Sequence, residues 1–232
     1  MIQHKISRYK NDQRIQVAVD CVIFGFDGSR LNVLLIKRSF EPEKGKWSLV
    51  GGFVGNAENA DEAAIRILHD LTGMDHIYME LFYTFSDVDR DTSGRVISIA
   101  YFALIDVSNF SEQLLHDHEA KWFPLDKIPT LIFDHRHIVL KGKESLRRKF
   151  EHYPIGFNLL PKKFTLPQLQ NLYEAIYEAP LDRRNLRKKM GSLGILTKLN
   201  EKEKKSSRKG AFYYVFDTAK YRKIQSNRLK FI

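Results

Sequence analysis

Arg183, Arg184, Asn185, Arg187, Lys188 and Lys189 crowd one short stretch of this chain, and long cationic donors beside an amide are what base edges and phosphates recognise. On a helix from Arg183 to Met190, Leu186 and Met190 face inward at i, i+4 spacing. Arg184 and Lys188 then fall on the opposite face, with Asn185 and Arg187 at its flanks. Donors so placed can enter a major groove, where Arg pairs with guanine and Asn with adenine. Arg183 and Lys189, with Lys204, Lys205, Arg208 and Lys209 downstream, are placed for phosphates. A second group is built from different residues. Gly51-Gly52-Phe53-Val54-Gly55-Asn56-Ala57-Glu58 is followed after seven residues by Arg66, then by Gly73 and the apolar Met74.

That second spacing, preceded by Trp47-Ser48 and a hairpin, resembles the Nudix motif, so the first half of the chain is similar to the Nudix superfamily. The resemblance implies a helix whose carboxylates hold divalent ions for pyrophosphate cleavage, at the positions here numbered 67, 70 and 71. This chain has Ile67, Asp70 and Leu71 there. One aspartate cannot replace such a cluster for Mg²⁺. No catalytic residue, metal site or cofactor is therefore expected. The rival reading is a metal-dependent Nudix hydrolase of nucleoside diphosphate compounds with an accessory nucleic-acid module. Its ligands would have moved to Glu58, Asp61 or Glu62, but Glu62 and Asp70 lie two helical turns apart and Glu58 precedes the helix.

A cleft that loses its chemistry can still bind. The candidates for contact with a small effector are Arg38, Glu41, Lys44 and Trp47 after the second strand, Asp20 within the first, and the loop Asp89-Arg90-Asp91 with Arg95, Asp89 and Arg95 foremost. Asp20 is the one charge in an apolar strand, so it needs a partner or a ligand. For each of the others a surface or structural role is the competing reading.

These groups sit in halves of opposite charge. The 232 residues carry a net charge of +10, but residues 1–133 hold 14 Lys/Arg against 19 Asp/Glu, and residues 134–232 hold 24 against 9. A polyanion is the natural partner of the second half alone. The single Cys21 excludes an intramolecular disulfide, and no apolar run approaches the length of a membrane span. A cytoplasmic protein without membrane contact is expected.

The pattern predicts an α+β chain with domains at 1–133 and 134–232. Val17 to Phe24 and Leu31 to Ile36 read as strands joined at Asp27-Gly28, and Ile97 to Ile105 reads as a third. Ala60 to Leu71 reads as a helix ended by Gly73. The second half opens with a helix from about His135 to Phe150. Thr165-Leu-Pro-Gln168 is a capping box, and Asp182 caps the next helix after a short break at Ala179-Pro180-Leu181. Ile195 to Leu199 and Ala211 to Phe216 complete a two-stranded wing.

Phe164 to Ile176 together with Leu181 to Met190 resembles the DNA-binding domain of Nudix-related transcriptional regulators, and the likeness runs from about Val17 to Phe216. Known groups are the NAD-metabolism repressors (NrtR), with ADP-ribose-like effectors, and the arabinose-responsive regulators (AraR). The degenerate box and Asp89-Arg-Asp through Arg95-Val-Ile-Ser-Ile-Ala-Tyr bring this chain closer to the second group. The resemblance implies a mixed sheet packed by helices, then a winged helix-turn-helix. It also implies a homodimer on a double-stranded DNA operator, controlled by a sugar or nucleotide-sugar effector. L-arabinose is the first choice and ADP-ribose the second. RNA is disfavoured for want of an aromatic stacking platform.

Overall fold

The computed structural model of the chain describes residues 15–74, 76–109, 119–153, 155–204 and 210–221. Strand β1 (Gln16–Phe26) is the axis of the first half. It pairs in parallel with β6 (Val96–Asp106) along its whole length. On its other side it pairs antiparallel with β2 (Leu31–Lys37) through Ile23–Phe26, and with β4 (Val50–Phe53) through Ala18–Cys21. The short β3 (Trp47–Ser48) and β7 (Ala120–Pro124) extend the sheet from β2, and β5 (Tyr78–Phe85) extends it from β6. The result is a mixed seven-stranded sheet. β1 is buried from Val19 onwards because both faces are covered, which is why it reads as a continuous apolar run rather than an alternation.

One face, with Val19, Cys21 and Ile23, packs on helix α1 (Ala60–Thr72) through Ala63, Ala64, Ile67, Leu68 and Leu71. Asn59 and Glu62 form a reciprocal capping box at the start of α1, and Gly73 closes it in the left-handed conformation at φ 64. The opposite face, with Val22, Phe24 and Phe26, packs on helix α2 (His135–His152) through Ile138, Val139 and Leu146. Gly142 makes that approach possible, since a Cβ there would lie 3.2 Å from Val22 and 3.3 Å from Phe82.

The same apolar cluster continues into the second half through Phe150, Leu159, Phe164, Leu169 and Leu172. There β8 (Lys163–Thr165) leads into α3 (Leu166–Tyr177), a short turn leads to α4 (Arg183–Leu193), and β9 (Leu196–Glu203) and β10 (Ala211–Phe216) follow. This is a helix-turn-helix with a wing. The predicted two-stranded wing gains a third strand, because β8 pairs with the free edge of β10. Three residues are too short to announce a strand in sequence. No helix among the described residues is long and apolar enough to cross a membrane.

Candidate functional site

The first site is a cleft at the end of the sheet, with about 670 Å³ of empty space when its open mouth is included. Its walls include Arg38, Phe40, Phe53, Arg90, Asp91 and Phe133, and its floor carries Asp20 and His135. β1 places Asp20 opposite Gly51 of β4. A Cβ at Gly51 would sit 2.5 Å from the Val19 carbonyl and 2.6 Å from Asp20 Oδ1, so the box glycine leaves the aspartate its room.

Asp20 is buried and finds its partners inside the protein. Its Oδ2 accepts from Ser98 Oγ at 2.5 Å and from Arg90 Nη2 at 3.4 Å. Arg90 is itself buried, and its Nε and Nη2 donate to the two oxygens of Asp134 at 3.0 and 2.8 Å. His135 completes the group. The Leu49 N–H donates to its Nδ1 at 3.0 Å, so the neutral ring carries its proton on Nε2, 3.7 Å from Asp20 Oδ1. Burial depresses the His135 pKa below the ordinary imidazole value, against the opposing pull of Asp20 and Asp134.

Of the predicted effector contacts, the fold brings Asp20 and Arg38 into the cleft. The Arg38 guanidinium lies over the Phe40 ring at 4.0 Å and 5.5 Å from the centre of the Phe133 ring. Glu41 and Lys44 are exposed in the loop between β2 and β3, outside the lining residues. Trp47 packs edge-on against Phe123. Asp89 is exposed, and Arg95 donates to the Ser86 and Asp87 carbonyls, which fixes its own loop. Arg90 and Asp91, candidates as members of the Asp89-Arg90-Asp91 loop, also line the cleft, while sequence reasoning passed over Phe133 and His135 as contacts.

On α1, Ile67 and Leu71 are buried against the sheet, and Asp70 is exposed. Positions 67 and 71 thus face the sheet, and Asp70, at i+3 from Ile67, stands at the exposed margin of that side. Ile67 also reaches the box itself, with Cδ1 3.3 Å from where a Gly52 Cβ would stand. The carboxylates considered as displaced ligands have other work. Glu58 accepts from Arg66 at 2.9 and 2.6 Å and from the Gly55 N–H, and these bonds hold its pKa down to about 2. Asp61 accepts from Tyr101 Oη at 2.5 Å, and Glu62 closes the capping box. No cluster of three potential metal ligands occurs among the described residues.

The second site is α4 and the wing. Asp182 accepts from the Asn185 N–H and so caps α4. Met190 is buried and Leu186 half-buried, while Arg183, Arg184, Asn185, Arg187 and Lys188 are exposed. The turn before α4 is pinned by Glu174, which accepts from the Leu181 N–H at 3.0 Å, and by Gln170, which donates to the Leu181 carbonyl. Gln170 also accepts from Arg183 Nε at 3.2 Å, a tether the sequence did not suggest. Lys189 is half-buried, and burial lowers its pKa. On the wing, Lys204 is exposed, and Lys198 and Lys202 approach the Phe212 ring at 3.7 and 4.5 Å. Lys205, Arg208 and Lys209 lie outside the described residues.

Residues 14–141 match the NUDIX domain family, and residues 156–216 match the NrtR DNA-binding winged helix domain. The ADPR responsive transcriptional repressor NtrR of Acinetobacter baylyi is 31% identical over 201 residues, spanning 85% of this chain and 80% of that protein. The chain belongs to the NrtR-type family of Nudix and winged-helix regulators. The crystal structure of Shewanella oneidensis NrtR complexed with a 27mer DNA superposes with a TM-score of 0.81 at 27% identity, covering 89% of this chain and 95% of that one. The Nudix half of this NrtR-type chain also has relatives among enzymes. An ADP-ribose pyrophosphatase of Methanocaldococcus jannaschii is 36% identical over 145 residues, covering 62% of this chain and 80% of the enzyme.

Proposed function

We propose that this chain is a transcriptional regulator that binds operator DNA through α4 and the wing and senses ADP-ribose or a close analogue in the Nudix cleft. The observation that carries this reading is the pairing of an exposed basic reading helix with a cation-lined cleft whose neighbouring helix buries Ile67 and Leu71. Both a repressor and an enzyme among its relatives are named for ADP-ribose, which supports that effector ahead of L-arabinose and reverses the order expected from the likeness to the arabinose-responsive group. The cleft chemistry fits. Arg38 offers a guanidinium to a pyrophosphate, the exposed Phe40 and Phe53 rings offer faces to a purine, and Asp91 can accept from ribose hydroxyls.

Within this reading the protein acts in the cytoplasm as a homodimer, because one short reading helix covers too few base pairs for specificity in a genome. It does not hydrolyse its ligand, because Glu58, Asp61 and Glu62 are already engaged. Calorimetric titration with ADP-ribose and with L-arabinose, in the presence and absence of a duplex selected by the protein from a randomised library, tests the proposal. ADP-ribose should bind, and DNA should weaken that binding by the factor by which ADP-ribose weakens DNA binding. Binding of L-arabinose alone would transfer the chain to the other effector, and binding of neither would remove the sensing role.

A further inference from the structure

Resting on the reading of the cleft as the effector site, we propose that Arg90 and Asp134 form the switch that carries its occupancy to the DNA-binding half. Arg90 faces the cleft with its side chain only 2% exposed, and it spends two hydrogen bonds on Asp134. Asp134 is the N-cap residue of α2, yet its side chain makes no capping bond. The N-cap side chains of α1, α3 and α4 all do cap. Arg90 holds the Asp134 carboxylate, and the Asp134 backbone (φ −93, ψ 12) is not extended as in the three capping residues, so the first N–H of α2, that of His135, bonds the Ile132 carbonyl instead.

Asp134 has two alternative partners, and an anionic ligand decides between them. A pyrophosphate entering the cleft competes for the Arg90 guanidinium through charge-assisted bonds. The released Asp134 then resets its ψ from 12 to the extended cap conformation and brings its carboxylate to the N-terminus of its own helix, where the helix dipole favours a negative charge. The chain is poised to move at this point. Phe133, just before the cap, lines the cleft and holds a left-handed φ of 47, a conformation that a residue with a bulky side chain adopts only under constraint.

The far end of α2 bridges the two halves: Phe150 packs on Tyr173 of α3 at 5.3 Å, while Lys149 bonds Glu80 of β5 in the Nudix sheet at 2.7 Å. A change in how α2 begins therefore alters the seat of the helix-turn-helix, and the effector-free pairing of Arg90 with Asp134 is the DNA-competent arrangement.

Asp134→Ala removes both alternatives, and Asp134→Asn weakens the Arg90 pairing while leaving a side chain able to cap. In the wild-type protein, ADP-ribose should weaken binding of the selected duplex by about fivefold or more. In Asp134→Ala, ADP-ribose should bind at least as tightly as in wild type, because Arg90 is no longer claimed, while its effect on DNA affinity falls to about twofold or less. A residue needed only for the fold would weaken both ligands together. Full coupling in a folded Asp134→Ala protein overturns the proposal. Where wild type fails to bind ADP-ribose the effector reading fails, and the switch is then decided by DNA affinity alone. Both variants should weaken it by about threefold or more, and wild-type affinity in both overturns the switch.

Discussion

Phe150 of α2 meets Tyr173 of α3 edge-on, with ring centroids 5.3 Å apart and planes at 65°. The contact joins the helix that leaves the Nudix sheet to the first helix of the helix-turn-helix. Both rings are buried in an apolar cluster that runs unbroken from Val22 of β1 to Ile195 before the wing. Phe150→Ala should cost about 3–5 kcal/mol of stability, the usual range for emptying a buried phenylalanine site. Because the cluster is continuous, the wild-type chain should melt in one transition, with tryptophan fluorescence from Trp47 and Trp122 coinciding with the helical circular dichroism signal. Two separated transitions would show that the halves fold independently.

With Ile67 and Leu71 turned into the core, incubation with ADP-ribose and Mg²⁺ or Mn²⁺ should release no AMP. Turnover on the order of 1 per second or more would be ordinary enzymatic catalysis and would contradict the regulator-only reading. The paired substitution Ile67→Glu with Leu71→Glu should not create activity, because two carboxylates forced into a buried apolar face destabilise the helix packing before they can hold a metal.

Arg184→Ala should weaken binding to the selected duplex by about 1–3 kcal/mol and relax the preference at one base pair, since Arg184 is exposed on the reading face. Lys204→Ala should weaken all sequences alike and flatten the dependence on salt, as loss of a phosphate contact does. Fluorescence anisotropy over a panel of duplexes and salt concentrations separates the two, and identical behaviour would refute the division between reading helix and wing.

Two titrations report on the Nudix half. The Glu58 carboxylate should titrate near 2 in the folded protein, because Arg66 and the Gly55 N–H hold it charged. Its contribution to stability is present above the ordinary carboxylate pKa and is lost as pH falls through the folded value. Burial should bring the His135 ring to titrate below 6.5, so the unfolded chain binds the extra proton as pH drops through that window and stability falls with it. Side-chain NMR shifts followed against pH check both; ordinary midpoints for either residue would mean that its surroundings are not held in solution.

Local signals in the sequence were sufficient for much of this molecule. The Thr165 and Gln168 capping box, the Asp182 cap and the glycine at 73 fall where their chemistry requires, because caps act over three or four residues. The inward pair Leu186 and Met190 was likewise enough to place the exposed basic face of α4, since amphipathic spacing is a local property. The box spacing pointed to a Nudix fold, since its glycines and Glu58 and Arg66 lie within one strand, loop and helix. Tertiary structure decided the rest. That Asp20 meets Arg90 and His135 depends on a parallel pairing between strands some 80 residues apart and on where α2 begins, and no spacing rule reaches so far. β8 became a strand only because β10 offered it an edge. Arg90 could be read as one more loop cation until the fold buried it, since a charge taken out of water must find its partners wherever the chain brings them.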